Sequence, residues 1–280
     1  MGFMTGLKAN KAYRAQQKGD KAEAVRLYEE CFAEGLNDAR YVLAYAILII
    51  RDGQYQKAKD FLVSHQKAPG MTGEQRVTLI VDYAVCCFKL GDPDKAIAKL
   101  EEMFRKGATG LLYQTLGFMY ADRYDASHRE DFLAKRAAQA AAEQTADAQT
   151  QPAADDAGET PAVQTPEEQW EAGKKKALEF NLQAVDYDDE DSICLDNLAQ
   201  VYYRVTEDRK EAKVWFDKAI AIKENQIDTL YFLSRYDLDA GDRAAALEKL
   251  EKAAEGRFSP LNFRTKEEID REIAALKGDN

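Results

Sequence analysis

Few residues in this chain combine the type and spacing that chemistry requires. There are only two histidines among 280 residues. His65 falls on a helical face otherwise occupied by small residues, where a packed, hydrogen-bonded imidazole is expected. His128 has no second His or Cys near it in sequence. No H-E-x-x-H, Cys/His cluster, Ser-His-Asp candidate or glycine-rich phosphate loop occurs. Asp186-Tyr187-Asp188-Asp189-Glu190-Asp191 begins like a calcium loop. It departs from one because Asp191 occupies the place of the turn glycine and Asn197 that of the bidentate Glu. The segment reads as an acidic turn. No catalytic residue, metal ligand or cofactor site is assigned, and the expectation is a non-enzyme without a cofactor.

The four cysteines, Cys31, Cys86, Cys87 and Cys194, form no C-x-x-C pair, and the vicinal pair points to different faces of a helix. Reduced, buried thiols in a cytoplasmic protein are expected. The N-terminal residues lack the charged start and apolar run of a secretory signal. The most apolar stretch, Tyr41 to Ile50, is too short to span a bilayer, so no membrane partner is expected. The formal net charge of −11 argues against a nucleic-acid partner.

The elements that would position any site come from a recurring phrase. Gly19-Asp20 precedes Ala24, Tyr28 and Cys31; Gly53 precedes Ala58, Leu62 and His65. Gly91-Asp92 precedes Ala96, Leu100 and Met103, and Gly241-Asp242 precedes Ala246, Leu250 and Ala253. A residue at i, i+4 and i+7 marks one helical face. The glycine five residues earlier ends the preceding helix in a left-handed cap, and the Asp or Gln after it starts the next. Each phrase therefore predicts two antiparallel helices joined by a tight turn.

This pattern resembles the tetratricopeptide repeat, a 34-residue helix pair. Its first-helix signature stands as Leu116-Gly117-Phe118-Met119-Tyr120, with a variant at Leu198-Ala199-Gln200-Val201-Tyr202. Repeats begin near Thr5, Ala39, Val77, Gly110, Ser192 and Ile227, at spacings of 34, 38, 33, 82 and 35. The 38 reflects a loop extension at Gly70–Gly73, with Thr72 as N-cap. The 82 is one repeat plus an insertion of 48 residues. The resemblance implies an all-α, right-handed superhelical solenoid of about six hairpins with a C-terminal capping helix.

The expected organisation is 1–123 for repeats 1–3 and the first helix of repeat 4, and 124–165 for the insertion. Residues 166–264 hold the second helix of repeat 4 and repeats 5–6, and 265–280 the cap. Within the insertion, Ser127–Glu143 is rich in helix formers, whereas Thr145–Gln164 lacks the apolar residues to offset ordering. Ala137 to Gly173 carries eight acids and no Lys or Arg, so −8 of the −11 resides there. That segment reads as a solvated loop or a regulatory arm. The motif Thr265-Lys266-Glu267-Glu268 is a capping box, followed by an apolar stripe at Ile269, Ile273 and Leu276 that is expected to lie on the last repeat.

In this family the first helices line a concave groove for peptide or helix segments. The resemblance places Leu43, Ile47, Ile50, Val81, Val85, Phe88 and Phe118 on its apolar part, and Tyr203, Tyr231 and Arg235 on a mixed part. The family's basic clamp for C-terminal carboxylates is missing, with Ala9, Leu43, Val81 and Gln114 at its first position. The reading is a protein-interaction scaffold whose partner is a protein or peptide segment with an apolar face. Its alternative is a small-molecule or signalling-peptide sensor that changes curvature on binding. The stripe is either open to a partner or covered internally, by the insertion helix or by superhelical closure.

Overall fold

The computed structural model describes residues 3–150 and 164–278. Among them are fourteen α-helices and no strand. The pairs are α1 (Phe3–Gln17) with α2 (Lys21–Ala33), α3 (Ala39–Arg51) with α4 (Tyr55–Ser64), and α5 (Gly73–Lys89) with α6 (Pro93–Phe104). Next come α7 (Gly110–Arg123), a 3-10 turn (Ala126–His128), α8 (Arg129–Thr150) and α9 (Pro166–Tyr187). Then α10 (Ser192–Gln200) runs into a π-turn (Val201–Val205) and pairs with α11 (Arg209–Ile222), and α12 (Ile227–Asp239) pairs with α13 (Arg243–Ala254). The last element is α14 (Lys266–Gly278).

Helices begin where the repeat register places them, at Ala39, Gly110, Ser192 and Ile227. Gly19, Gly53, Gly91 and Gly241 all have φ between 73° and 86°, the left-handed region in which a Cβ is strained. Asp20, Asp92, Asp208 and Asp242 each accept a backbone N–H three residues on, which opens the second helix of the hairpin. The fifth hairpin has no glycine in this turn. Glu207 takes its place at φ 58°.

The second-helix face is the core. Ala24, Ala58, Ala96, Ala177, Ala212 and Ala246 are wholly buried, as are Tyr28, Leu62, Leu100, Asn181, Phe216 and Leu250 four residues later. Small residues let the paired helices approach, and the larger ones fill the facing gap. Complete burial of one such Leu contributes about 1.5–3 kcal/mol.

The chain forms two compact units, Met1–Leu116 with Arg257–Asn280, and Gly117–Gly256; the division falls within α7. The C-terminal helix therefore belongs to the unit of the first three hairpins. The last hairpin, α12–α13, on which it was expected to lie, falls in the other unit. Thr265 and Glu268 form the anticipated capping box at the start of α14, and Ile269 is fully buried.

In the insertion, α8 extends through Thr150, so Thr145–Thr150, expected to lack structure, are helical; residues 151–163 lie outside the described part. Within the second unit Phe132 of α8 packs edge-on to Trp170 of α9, with Tyr124 beside both. Gly173 makes this possible, because a Cβ there would stand 2.0 Å from the Tyr124 ring. At the start of α9, Thr165 and Glu168 complete another capping box, as Thr72 and Gln75 do at the start of α5.

Candidate partner-binding surfaces

The first-helix face of the first unit is built by α3 and α5, which pack against each other. On α3, Leu43 and Ile47 are half-buried and Ile50 is buried; on α5, Val81 and Val85 are buried and Phe88 is half-buried. None of the six is exposed. The side chains that retain surface are thus Leu43, Ile47 and Phe88. Asp82 lies in the same stripe at 8% exposure, and burial pushes its carboxyl up to about 7 against the opposing pull of Arg51.

In the second unit Phe118 and Tyr231 are buried, and Tyr203 and Arg235 are half-buried. The Arg235 guanidinium lies 4.7 Å from the Tyr231 ring centroid and donates to Ser234 Oγ. Tyr203 is engaged in an aromatic cluster with Phe216, Phe232 and Tyr236, and Arg209 covers its ring.

The π-turn accounts for Tyr203. Thr206 N–H donates to Val201 O, an i→i+5 bond, so the widened turn rotates the residues within it relative to α-helical register. Arg204 stands in line with Asp196 and Gln200 instead. Its Nη1 donates to Gln200 Oε1 at 2.8 Å, Nε to Asp125 Oδ2 at 2.7 Å and Nη2 to Asp122 Oδ1 at 2.9 Å. Gln200 donates to Asp196, whose other oxygen accepts from Thr229 Oγ1 at 2.5 Å. Burial pushes Asp196 up to about 6. At Asp125 burial works against the charged form, but Arg204 and Ser127 outweigh it and hold the carboxyl below its usual range. Repeat register did not identify Arg204, because the extra residue in the π-turn is invisible to a fixed helical period; Asp122, Asp125 and Thr229 join the network from other elements, which spacing within one hairpin does not reveal. The missing turn glycine at Glu207 was the one local signal that this hairpin differs.

Both histidines contact backbone carbonyls. His65 Nδ1 lies 2.9 Å from Phe61 O at the end of α4, and its ring centroid is 4.2 Å from that of Phe61 with the planes tilted by 33°. His128 Nδ1 sits 2.8 Å from Asp122 O. Asp191, at the end of the calcium-like segment, caps α10 through Ile193 and Cys194 N–H. No group of three His, Cys, Asp or Glu among the described residues is arranged to hold a metal ion. No described helix is long and apolar enough to cross a membrane.

Two clefts lie between successive second helices, each over the intervening first helix. One of about 510 Å³ is flanked by Val63 of α4 and Ala98 of α6 above Ile80 and Tyr83 of α5. The other, of about 740 Å³, lies between α9 and α11 above Leu195 of α10.

No protein-family model matches the chain, and no curated protein matches it in sequence. Solved structures do match in fold. The thermophilic TPR protein TTC0263 of Thermus thermophilus is 15% identical with a TM-score of 0.57, over 85% of this chain and 98% of that one. MamA from Desulfovibrio magneticus RS-1, residue 41 to its end, is 18% identical with a TM-score of 0.51, over 81% of this chain and 98% of that one. Human IFIT1, as a dimer with m7Gppp-AAAA, is 14% identical with a TM-score of 0.53, over 91% of this chain and 48% of that one. This last structure overturns the expectation that a nucleic-acid partner is excluded, since a chain of the same fold was solved with a capped oligonucleotide. Net charge is a sum over the whole chain and −8 of it is concentrated in one segment, so it does not decide what a local surface accepts. The fold of this chain is that of a tetratricopeptide-type α-solenoid.

Proposed function

We propose that the chain is a non-catalytic scaffold that takes a peptide or helix segment with an apolar face along α3 and α5. The observation that supports this reading is the partial exposure of Leu43, Ile47 and Phe88 in one stripe over buried Ile50, Val81 and Val85. A partner would complete the burial of these three side chains, as aromatic and aliphatic anchors do in helix-in-groove recognition. In the second unit, Tyr231 and Arg235 offer a stacked cation beside the ring for a polar contact. A cytoplasmic setting fits the four free, buried cysteines. Burial pushes Cys86 and Cys194 up to about 12, which keeps the reactive thiolate scarce.

The test is capture of a partner by the full chain and by variants Phe88→Ala and Ile47→Asp, with helical content and melting followed alongside. Loss of capture at unchanged helicity is expected. Capture unaffected by both substitutions would remove this face from the function.

A further inference from the structure

We propose that the cleft between α9 and α11 is a second docking site, one that takes a basic peptide segment bearing apolar residues. The cleft is independent of the α3–α5 stripe. Its apolar surface is uncovered: Leu182 and Tyr187 at the end of α9 are 41% and 53% exposed, and Trp215 of α11 is half-buried. Ile222, on the same face of α11 as Trp215 at i+7, is 49% exposed and prolongs the strip. Exposed apolar surface of this kind, set in a concavity, marks an interaction site.

Charge selects the occupant. Asp186, Asp188, Asp189 and Glu190 line the cleft, are exposed, and have no ion-pair partner among the described residues. The first hairpin and its turn differ, for there Glu23, Glu29, Glu30 and Glu34 all pair with Lys or Arg. Among the described residues that line the cleft the one cation is Lys218, so four acids face one lysine, for a net −3. The Lys218 ammonium lies 3.7 Å from the Trp215 ring centroid. Lys218 thus already covers that ring face, and the exposed carboxylates are the groups left to pair with a partner's Lys or Arg. Arg suits them best, because its planar guanidinium pairs with carboxylates in a bidentate fork. The four carboxylates do not converge on a point that would hold a metal ion, which leaves side-chain cations spread along a peptide as the complement.

The experiment uses the full chain and a fluorescein-labelled peptide rich in arginine and leucine, with a glutamate–leucine peptide of equal length as control. Fluorescence anisotropy is expected to show saturable binding of the basic peptide that weakens with salt. The double variant Asp189→Lys/Glu190→Lys alters side chains that make no bond in the fold, so its melting should match wild type. Its affinity should fall roughly tenfold. Leu182→Gln, which removes the apolar contact without changing the charge, should also weaken binding. Equal binding of the acidic peptide, or unchanged affinity in the charge-reversed variant, would overturn the proposal. So would unchanged affinity in Leu182→Gln, which would reduce the attraction to diffuse charge with no docking in the cleft.

Discussion

Arg204 and Asp125 lie 79 positions apart, and the Arg204 Nε–H donates to Asp125 Oδ2 at 2.7 Å within the second unit. The Arg204 side chain is 3% exposed and that of Asp125 12%. The pair fastens the π-turn after α10 to the turn after α7. Removing Asp125 leaves the buried Nε–H of Arg204 without its acceptor, while Asp122 still balances the charge. Asp125→Ala is expected to cost about 1.5–3 kcal/mol in denaturant unfolding. A cost below about 1 kcal/mol would mean that the pair behaves as a surface bridge.

Gly117 of α7 packs directly against Asn181 of α9. A Cβ there would stand 2.5 Å from Asn181 Oδ1 and 3.0 Å from Asn197 Nδ2. Asn181 is fully buried and donates from Nδ2 to Gly117 O and Ala177 O, so it has little freedom to retreat. Gly117→Leu should lower stability by ~1–3 kcal/mol. An unchanged thermal midpoint would show that Asn181 can move aside.

Phe88 and Phe118 are both assigned to the apolar stripe, at different positions of their repeats, and they differ in burial. Phe118 is 4% exposed and Phe88 half-buried. Phe118→Ala is therefore expected to cost ~3–5 kcal/mol, and Phe88→Ala clearly less. Equal costs in paired unfolding curves would show that Phe88 is core and would withdraw it from the docking stripe.

Two buried carboxyls couple stability to pH in the same direction. Asp82 is pushed up to about 7 and Asp196 to about 6, from an ordinary value of 3.8. A raised carboxyl pKa means that the folded state holds the proton more tightly than the unfolded state. Its contribution is fully present below about pH 4 and is lost as pH rises through 6 and 7. Asp82→Asn should raise the melting temperature at pH 8, by a stability gain on the order of 1–3 kcal/mol, and change little at pH 4. Melting curves at the two pH values check this; an equal effect at both would show that Asp82 does not titrate with folding.

Glu207 carries the left-handed backbone that glycine carries in four other hairpin turns. Glu207→Gly relieves that strain and gives back part of the gain in unfolded-chain entropy. A net stabilisation of roughly 0.5–1 kcal/mol is expected, measured by chemical denaturation. A destabilisation would mean that the Glu207 side chain contributes contacts of its own.

Helix pairing was legible in sequence because it rests on local spacing. A turn glycine, the Asp that follows it and the Ala, Leu and Tyr at i, i+4 and i+7 are read within one hairpin, and they placed helix starts at Ala39, Gly110, Ser192 and Ile227. Thr72 and Thr265 announced helix starts for the same reason, since a capping box closes within four residues. Tertiary structure decided what depends on residues far apart. Phe88 and Phe118 share a pattern, yet the packing around them sets how much surface each keeps. Tyr203 and Arg204 exchange roles because one π-turn shifts the register, and the acids that hold Arg204 come from about eighty residues upstream. The amphipathic stripe of α14 showed that one face would be buried, but an apolar face carries no address. Only the assembled chain assigns that helix to the unit of the first three hairpins.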